Sequence, residues 1–195
     1  MSFLSRLRGG PYEVPPLPYP SDSAEGLAAR WVQWVASAGT ERDPIEDTTG
    51  EHAGHNQPDD VFFLAGSYGK VLHRRCVVPG GRDLFLPVFN YWNSPAVGPP
   101  ERAGDAWGAL TLDGVDLEPL EITTPVPFVV AGALLNPVTF RRKPIPVTVW
   151  GLWAHVPAPA PGTHHLRVVA GDGHAFRLDV GYQLEVAPVG AIRSS

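Results

Sequence analysis

The chain has 195 residues, of which 44% are hydrophobic and 18% charged, and its formal net charge is −5. This length suits one domain with a substantial core, and the composition excludes an intrinsically disordered, charge-rich chain. The acidic balance and the lack of a concentrated basic stripe argue against a nucleic-acid-binding surface. We therefore expect a globular protein with no nucleic-acid partner.

The single cysteine, Cys76, rules out an intramolecular disulfide, and its apolar surroundings indicate a small buried side chain rather than a reactive thiolate. Residues 1–8 lack the apolar run and cleavage site of a signal peptide. No apolar stretch approaches the roughly 18 residues of a membrane span. These features predict a cytoplasmic protein with no membrane partner, and no motif calls for a cofactor.

The chain divides into a proline-rich arm at residues 1–22, one domain at residues 23–188 and a short tail at residues 189–195. Five prolines in the first segment predict an extended arm. An arm laid along its own domain or left mobile is favoured over a polyproline ligand for a partner.

An amphipathic helix is predicted at residues 23–38. Asp22 and Glu25 form a candidate capping pair, and apolar residues including Trp31 and Trp34 recur at helical spacing. The two tryptophans are expected to pack on a sheet rather than to line a ligand cleft.

After a polar loop over residues 40–60, turn residues separate nine short predicted strands. They are Val61–Ala65, Val71–Val78, Leu84–Phe89, Ala109–Leu112, Leu117–Ile122, Phe128–Ala131, Pro146–His155, His164–Ala170 and Ala175–Val186. Asp113-Gly114 is a strong hairpin signal. The pattern predicts a mainly β fold, an antiparallel, jelly-roll-like β-sandwich with one N-terminal amphipathic helix. A more closed barrel of the same strands is the alternative.

Two of these strands carry clear face assignments. From Phe176 to Val186 apolar and polar residues alternate, so one face is buried and the other solvated. Alternation around residues 147–155 places Trp150 and Trp153 on opposite faces. A strand that is apolar on both faces is central in its sheet or covered by the helix.

Three sequence blocks span about residues 23–188. The first is the tryptophan helix with Asp47-Thr48-Thr49-Gly50 and Gln57. The second comprises Phe62-Phe63-Leu64-Ala65-Gly66, Arg74, Cys76, Val78-Pro79-Gly80, Leu84-Phe85-Leu86-Pro87 and Asn90. The third comprises Pro161-Gly162-Thr163-His164, Phe176, Leu178-Asp179-Val180 and Tyr182-Gln183-Leu184-Glu185-Val186. Together they resemble a family of largely uncharacterised bacterial and archaeal proteins, many of them exported.

The resemblance implies the architecture and no established activity. In those relatives a second cysteine lies just before the position of Gln57, where it would pair with the one matching Cys76. Residues 51–56 contain no cysteine here. The resemblance therefore implies that this chain has lost a disulfide, as a reducing cytoplasm permits.

Weak candidate metal ligands are His52, His55 and Asp59 in the polar loop. Glycines and a proline between them predict irregular backbone, in which the spacing of the two histidines does not bring them together. We therefore expect solvated histidines and no metal. No nucleophile elbow or glycine-rich phosphate loop occurs.

Amide and aromatic side chains cluster where the Leu84–Phe89 strand is expected to end, and a cluster at a strand exit suits a ligand-pocket wall. The candidate ligand-binding residues are Arg74, Asn90, Tyr91 and Trp92. Candidate catalytic residues nearby are His55, Asp59 and Arg75. The competing interpretation, which has the greater weight, is that Tyr91 and Trp92 cap the core while Asn90 satisfies turn backbone.

Two functions remain open from the sequence. The first is a small-molecule-binding protein, with tailoring or cyclising chemistry on a largely apolar substrate as a further step. The second is a non-enzymatic interaction or structural module that docks a partner or a second copy of itself. An enclosed aromatic cavity would favour the first, and a flat apolar patch the second.

Overall fold

The computed structural model describes residues 14–190. These residues form one α-helix, α1 (Ala24–Ala36), a short 3-10 helix (Thr40–Arg42) and ten strands. The strands are β1 (Val61–Phe63), β2 (Val71–Val78), β3 (Asp83–Asn93), β4 (Trp107–Leu112), β5 (Val115–Leu117), β6 (Leu120–Thr123), β7 (Phe128–Val130), β8 (Ile145–Val156), β9 (Gly162–Gly171) and β10 (Arg177–Val186). The first part of the predicted arm and the end of the tail lie outside the described residues.

The strands form two sheets that pack face to face, which confirms the predicted β-sandwich with one helix. The first sheet has the order β1-β3-β8-β6, with β7 also paired to β8, and the second has the order β2-β10-β9-β4-β5. Edge strands β1 and β2 pair in parallel with β3 and β10. The other pairings are antiparallel, as expected.

One predicted strand, Leu117–Ile122, is in fact two. The structure places β5 in the second sheet and β6 in the first, so the chain crosses between sheets at residues 118–119. Pro119 lies at the crossing and has no N–H for a ladder hydrogen bond. The Asp113-Gly114 hairpin between β4 and β5 is present as predicted, with both residues at positive φ.

Helix α1 covers the outer face of the first sheet. Its N-cap is Ser23, whose hydroxyl accepts the Gly26 N–H at 3.1 Å, rather than the predicted Asp22. Trp31 and Trp34 are both buried against the sheet, as predicted. Contrary to the prediction, Trp31 also lines a pocket. Within residues 14–190, no helix has the length and apolar character needed to cross a membrane.

Two hydrophobic cores result from these layers. One lies between the two sheets, and the other lies between the first sheet and α1. Trp150 belongs to the core between the sheets, whereas Trp153 belongs to the core under the helix. Strand β8 is therefore both central and helix-covered, as its two apolar faces predict.

The described part of the arm lies on its own domain. Leu17 packs against the core under the helix. The Tyr19 hydroxyl donates to the Val126 carbonyl at 2.6 Å and accepts from the Val126 N–H at 2.7 Å. This agrees with the favoured interpretation of the arm.

Candidate functional site

The centre of the candidate site is a bulge in strand β3. Its register with β8 shifts between Pro87 and Phe89, which leaves Val88 as an extra residue. Contrary to the prediction, the strand does not end at Phe89 but continues to Asn93. Residues 90–93 are therefore paired strand rather than the start of a loop.

Gly151 on β8 makes room for the strand beyond the bulge. It pairs with Asn90, and a Cβ at this glycine would lie 2.4 Å from the Phe89 carbonyl oxygen and 2.7 Å from the Asn90 Cβ. Any larger residue would displace the backbone of β3 at this point.

A pocket of about 250 Å³ opens beside the bulge. Its walls come from α1, the loop between β1 and β2, strand β3 and the start of β10, and most of its lining is apolar. The lining residues are Trp31, Ile45, Gly66, Ser67, Tyr68, Pro87, Val88, Phe89, Asn90, Tyr91, Trp92, Phe176 and Leu178. We call this cavity the β3 pocket.

Three of the four predicted ligand-binding residues, Asn90, Tyr91 and Trp92, line the β3 pocket. Tyr91 also contacts Trp150, with ring centroids 5.5 Å apart, and Trp92 lies 6.4 Å from Trp31. Both aromatic side chains are only partly buried and pack against the cores. Tyr91 and Trp92 therefore line the pocket and also pack against the hydrophobic cores.

The pocket wall offers few polar groups. The Asn90 Nδ2 is buried and has no hydrogen-bond partner among the described residues. The Ser67 hydroxyl, by contrast, is occupied by the backbone of Lys70, to which it donates and from which it accepts at 3.0 Å. Asn90 thus stands out, because buried amides nearly always have a partner.

The two tyrosines of the wall are neutral at physiological pH. Burial and the nearby Asp43 and Glu46 carboxylates raise the pKa of Tyr68 well above its usual range, and burial followed by the charge of Glu101 raises the pKa of Tyr91. No Asp, Glu, His, Lys or Arg is among the described lining residues. The pocket is therefore uncharged.

Arg74, the fourth predicted ligand-binding residue, does not line the β3 pocket. Its side chain is buried, with 3% exposure, on the inward face of β2. The guanidinium donates to four backbone carbonyls and to one hydroxyl, at 2.6–2.9 Å. The acceptors are Asp47 O, Ile45 O, Ala65 O, Gly66 O and Tyr182 Oη. These contacts occupy four of the five guanidinium N–H groups, and they fix the segments that form one pocket wall.

The Asp47-Thr48-Thr49-Gly50 motif organises the same region. The Asp47 carboxylate accepts the backbone N–H groups of Thr49, Gly50 and His52 at 2.9 Å. Burial raises the pKa of Asp47, but these hydrogen bonds outweigh it and the pKa falls below its usual value. Gly50, with φ of +90°, packs so closely on Arg75 that a Cβ would lie 2.5 Å from its carbonyl oxygen. The motif therefore anchors the long loop onto β2.

The predicted catalytic candidates do not meet at the pocket. Arg75 lies on the outer face of β2, 3.4 Å from Glu185. Asp59 is fully exposed and lies 3.6 Å from Arg82. His55 does not line the pocket, and burial, then the charges of Arg42 and His52, lower its pKa. Alternation along β2 sends Arg75 outward, away from the cavity.

The weak metal candidates are also separate. His52 lies 3.6 Å from the Glu51 carboxylate, and no group of three potential ligands occurs within residues 14–190. The loop that carries His52, His55 and Asp59 is made of turns, so the spacing of these residues in the sequence does not bring their side chains together. Cys76 is buried, and this burial raises its pKa to about 12, so the thiol is protonated.

The lining residues that the sequence analysis missed include Ile45 in the polar loop, residues of the β1–β2 loop, and Phe176 and Leu178 where the chain enters β10. Gly66, Ser67 and Tyr68 form one wall, and Phe176 faces Phe89 with ring centroids 5.8 Å apart. The turn signal Gly66-Ser67-Tyr68-Gly69, which places an aromatic residue between two glycines, was the available clue. Neither the family models nor the curated proteins with which the chain was compared match its sequence.

Proposed function

We propose that this protein binds a small, neutral and largely apolar molecule in the β3 pocket. The observation that carries this proposal is the uncharged, aromatic cavity of about 250 Å³. Asn90 lies in its wall, and the buried Nδ2 of this residue has no acceptor among the described residues. An unpaired buried amide costs about 1–3 kcal/mol. A ligand oxygen that accepts this hydrogen bond would recover that cost.

The size of the pocket sets the ligand class. A cavity of roughly 150 Å³ lined by apolar side chains is sufficient for benzene, and the β3 pocket measures about 250 Å³. It therefore suits one or two fused rings, or a short branched chain. Phe89, Tyr91 and Trp92 offer flat aromatic surfaces, which favour a planar ligand.

The uncharged lining favours binding over acid–base chemistry. With no carboxylate, imidazole or amine in the described wall, the polar contacts are limited to an amide and the phenols of Tyr68 and Tyr91. Such groups orient a ligand and hold it away from water. We accordingly propose a binding protein, with shaping of the ligand conformation as a further step.

Gly66→Leu tests the proposal because it fills the pocket with little strain. A Cβ at Gly66 would meet only the Leu178 side chain, at 3.6 Å, and the backbone there is not left-handed. Gly104→Leu is the matched control, since a Cβ at Gly104 has nothing within 4 Å and this residue is outside the pocket. Trp92→Ala is less informative, because Trp92 also packs against the core under the helix.

The probes are 2-naphthol and naphthalene, and binding is followed by tryptophan fluorescence and by the ligand-induced rise in melting temperature. We expect 2-naphthol to bind the wild type and Gly104→Leu, and Gly66→Leu to lose at least ten-fold in affinity. Naphthalene should bind more weakly than 2-naphthol because it offers Asn90 no oxygen. Equal affinity of all three proteins for 2-naphthol would refute the pocket as the site.

Native mass spectrometry of the protein purified from its own host identifies the natural ligand class. A retained neutral mass that is absent from Gly66→Leu would support the proposal. Retention of the same mass by Gly66→Leu would place the ligand elsewhere.

A further inference from the structure

The loop between β7 and β8 carries an exposed apolar and cationic surface on a rigid support. Its support is Asn136, which is 1% exposed. The Asn136 side chain donates to Ala133 O and Thr139 Oγ1 and accepts the N–H groups of Val138 and Thr139, all at 2.6–2.9 Å. Val138 is buried in the core under the helix. We call residues 134–143 the tip.

Two apolar residues of the tip have a conformation that normally belongs to glycine. Leu135 and Phe140 have φ of 61° and 59°, and the Leu135 N–H donates to the Phe140 carbonyl at 2.9 Å. The Leu134, Leu135 and Phe140 side chains are 54%, 46% and 64% exposed. Bulky residues at positive φ are strained, and strain of this kind concentrates at functional surfaces.

Three consecutive cations follow the apolar residues. Arg141, Arg142 and Lys143 are exposed. None of them forms an ion pair with a carboxylate of the described chain. Residues 131–144 contain no acidic residue. Glu41 and Arg42 share a recess with Leu134 and Leu135, and their opposite charges balance each other.

We propose that the tip docks on the surface of an anionic lipid bilayer. Leu134, Leu135 and Phe140 would enter the boundary between headgroups and acyl chains, while the three cations contact lipid phosphates. This departs from the expectation of no membrane partner, which rested on the lack of an apolar span. Peripheral docking needs only a few apolar side chains and adjacent positive charge.

Size and charge favour a lipid surface over a protein partner. A specific protein interface of standard size uses roughly 20–30 residues on each side, with few lysines in its core. The tip offers three apolar side chains and three cations, which is too few for such an interface. The chain as a whole has a net charge of −5, so an anionic surface would repel the rest of the molecule and orient it tip first.

The test is co-sedimentation of the full chain with phosphatidylcholine vesicles, with and without phosphatidylglycerol. We expect binding only to the anionic vesicles, and weaker binding at high salt. Replacing Arg141, Arg142 and Lys143 together by Ala should reduce the partition coefficient about a hundred-fold, at about five-fold for each cation.

The apolar contribution is tested by the double variant Leu135→Asn/Phe140→Asn. Asn tolerates positive φ, so the tip should keep its backbone and the melting temperature should not fall. Vesicle binding should be lost. Val97→Asn is the control, because Val97 is fully exposed outside the tip, and it should bind like the wild type.

Three results would overturn the proposal. They are an absence of sedimentation with phosphatidylglycerol vesicles, undiminished binding by the double Asn variant, and equal losses with Val97→Asn. Capture by immobilised poly-glutamate without vesicle binding would assign the tip to an acidic protein instead.

Discussion

Replacing Arg74 by Met should strongly destabilise the protein, because this side chain holds three separate segments together. The change leaves the carbonyl oxygens of Ile45, Asp47 and Gly66 without their donor, whereas Ala65 O keeps the hydrogen bond from the Tyr182 hydroxyl. At about 1 kcal/mol for each of these three carbonyls, the free energy of unfolding should fall by about 3 kcal/mol. That is a large share of the roughly 5–15 kcal/mol typical of a domain.

Arg75→Met is the matched control on the same strand. Arg75 faces outward and its ion pair with Glu185 is exposed, with an N–O distance of 3.4 Å. An exposed pair of this kind contributes at most about 1 kcal/mol. Urea titrations followed by tryptophan fluorescence measure both losses. If Arg74→Met cost no more than Arg75→Met, the assignment of Arg74 as the support of the pocket wall would be wrong.

Two further predictions concern a matched tryptophan pair and a surface histidine. Trp31→Phe should cost about 1–2 kcal/mol more than Trp153→Phe, because the Trp31 indole donates to Leu64 O at 2.9 Å. The buried Trp153 Nε1 has no acceptor in the described chain. Equal losses in urea titrations would contradict this. Separately, the hydrogen bond to Asp113, helped by a second one to a backbone carbonyl, raises the pKa of His164. Protonated His164 therefore stabilises the folded protein fully below the unfolded-state pKa of about 6.5, and this stabilisation is lost as the pH rises through the folded-state pKa. Between mildly acidic and mildly alkaline pH, the melting temperature should fall less in His164→Asn than in the wild type. Identical slopes would exclude this role for His164.

Most of the β-sandwich could be predicted because burial in a strand follows a two-residue period. Strand β10 alternates between buried and partly exposed positions along its length, as its apolar pattern indicates. Trp150 and Trp153 lie in different cores because three positions on a strand separate opposite faces. The pairing of the strands, including the parallel pairing of β1 with β3 and of β2 with β10, depends on contacts between residues that are distant in the sequence. A local sequence pattern does not contain this information.

The buried position of Arg74 could also have been predicted from the two-residue period of strand β2, but its charge suggested a ligand-binding role. Arg74 shares the inward face of β2 with Cys76 and Val78. Alternation alone places it in the core. What the sequence does not contain is the set of carbonyls that receives the guanidinium, because these come from loops up to 29 residues away in the chain. A buried cation is tolerated only with such partners.

The β3 pocket could not be predicted because it depends on one extra residue. Before the bulge, Leu84 and Leu86 face the core between the sheets and Phe85 faces the helix. Strict alternation would then send Trp92 between the sheets and Tyr91 towards the helix. The bulge at Val88 reverses this, so that Tyr91 packs in the core between the sheets and Trp92 packs under the helix. The aromatic walls of the pocket therefore exist because the bulge interrupts the two-residue alternation of β3. In a single sequence, Pro87 is the only sign of this register shift.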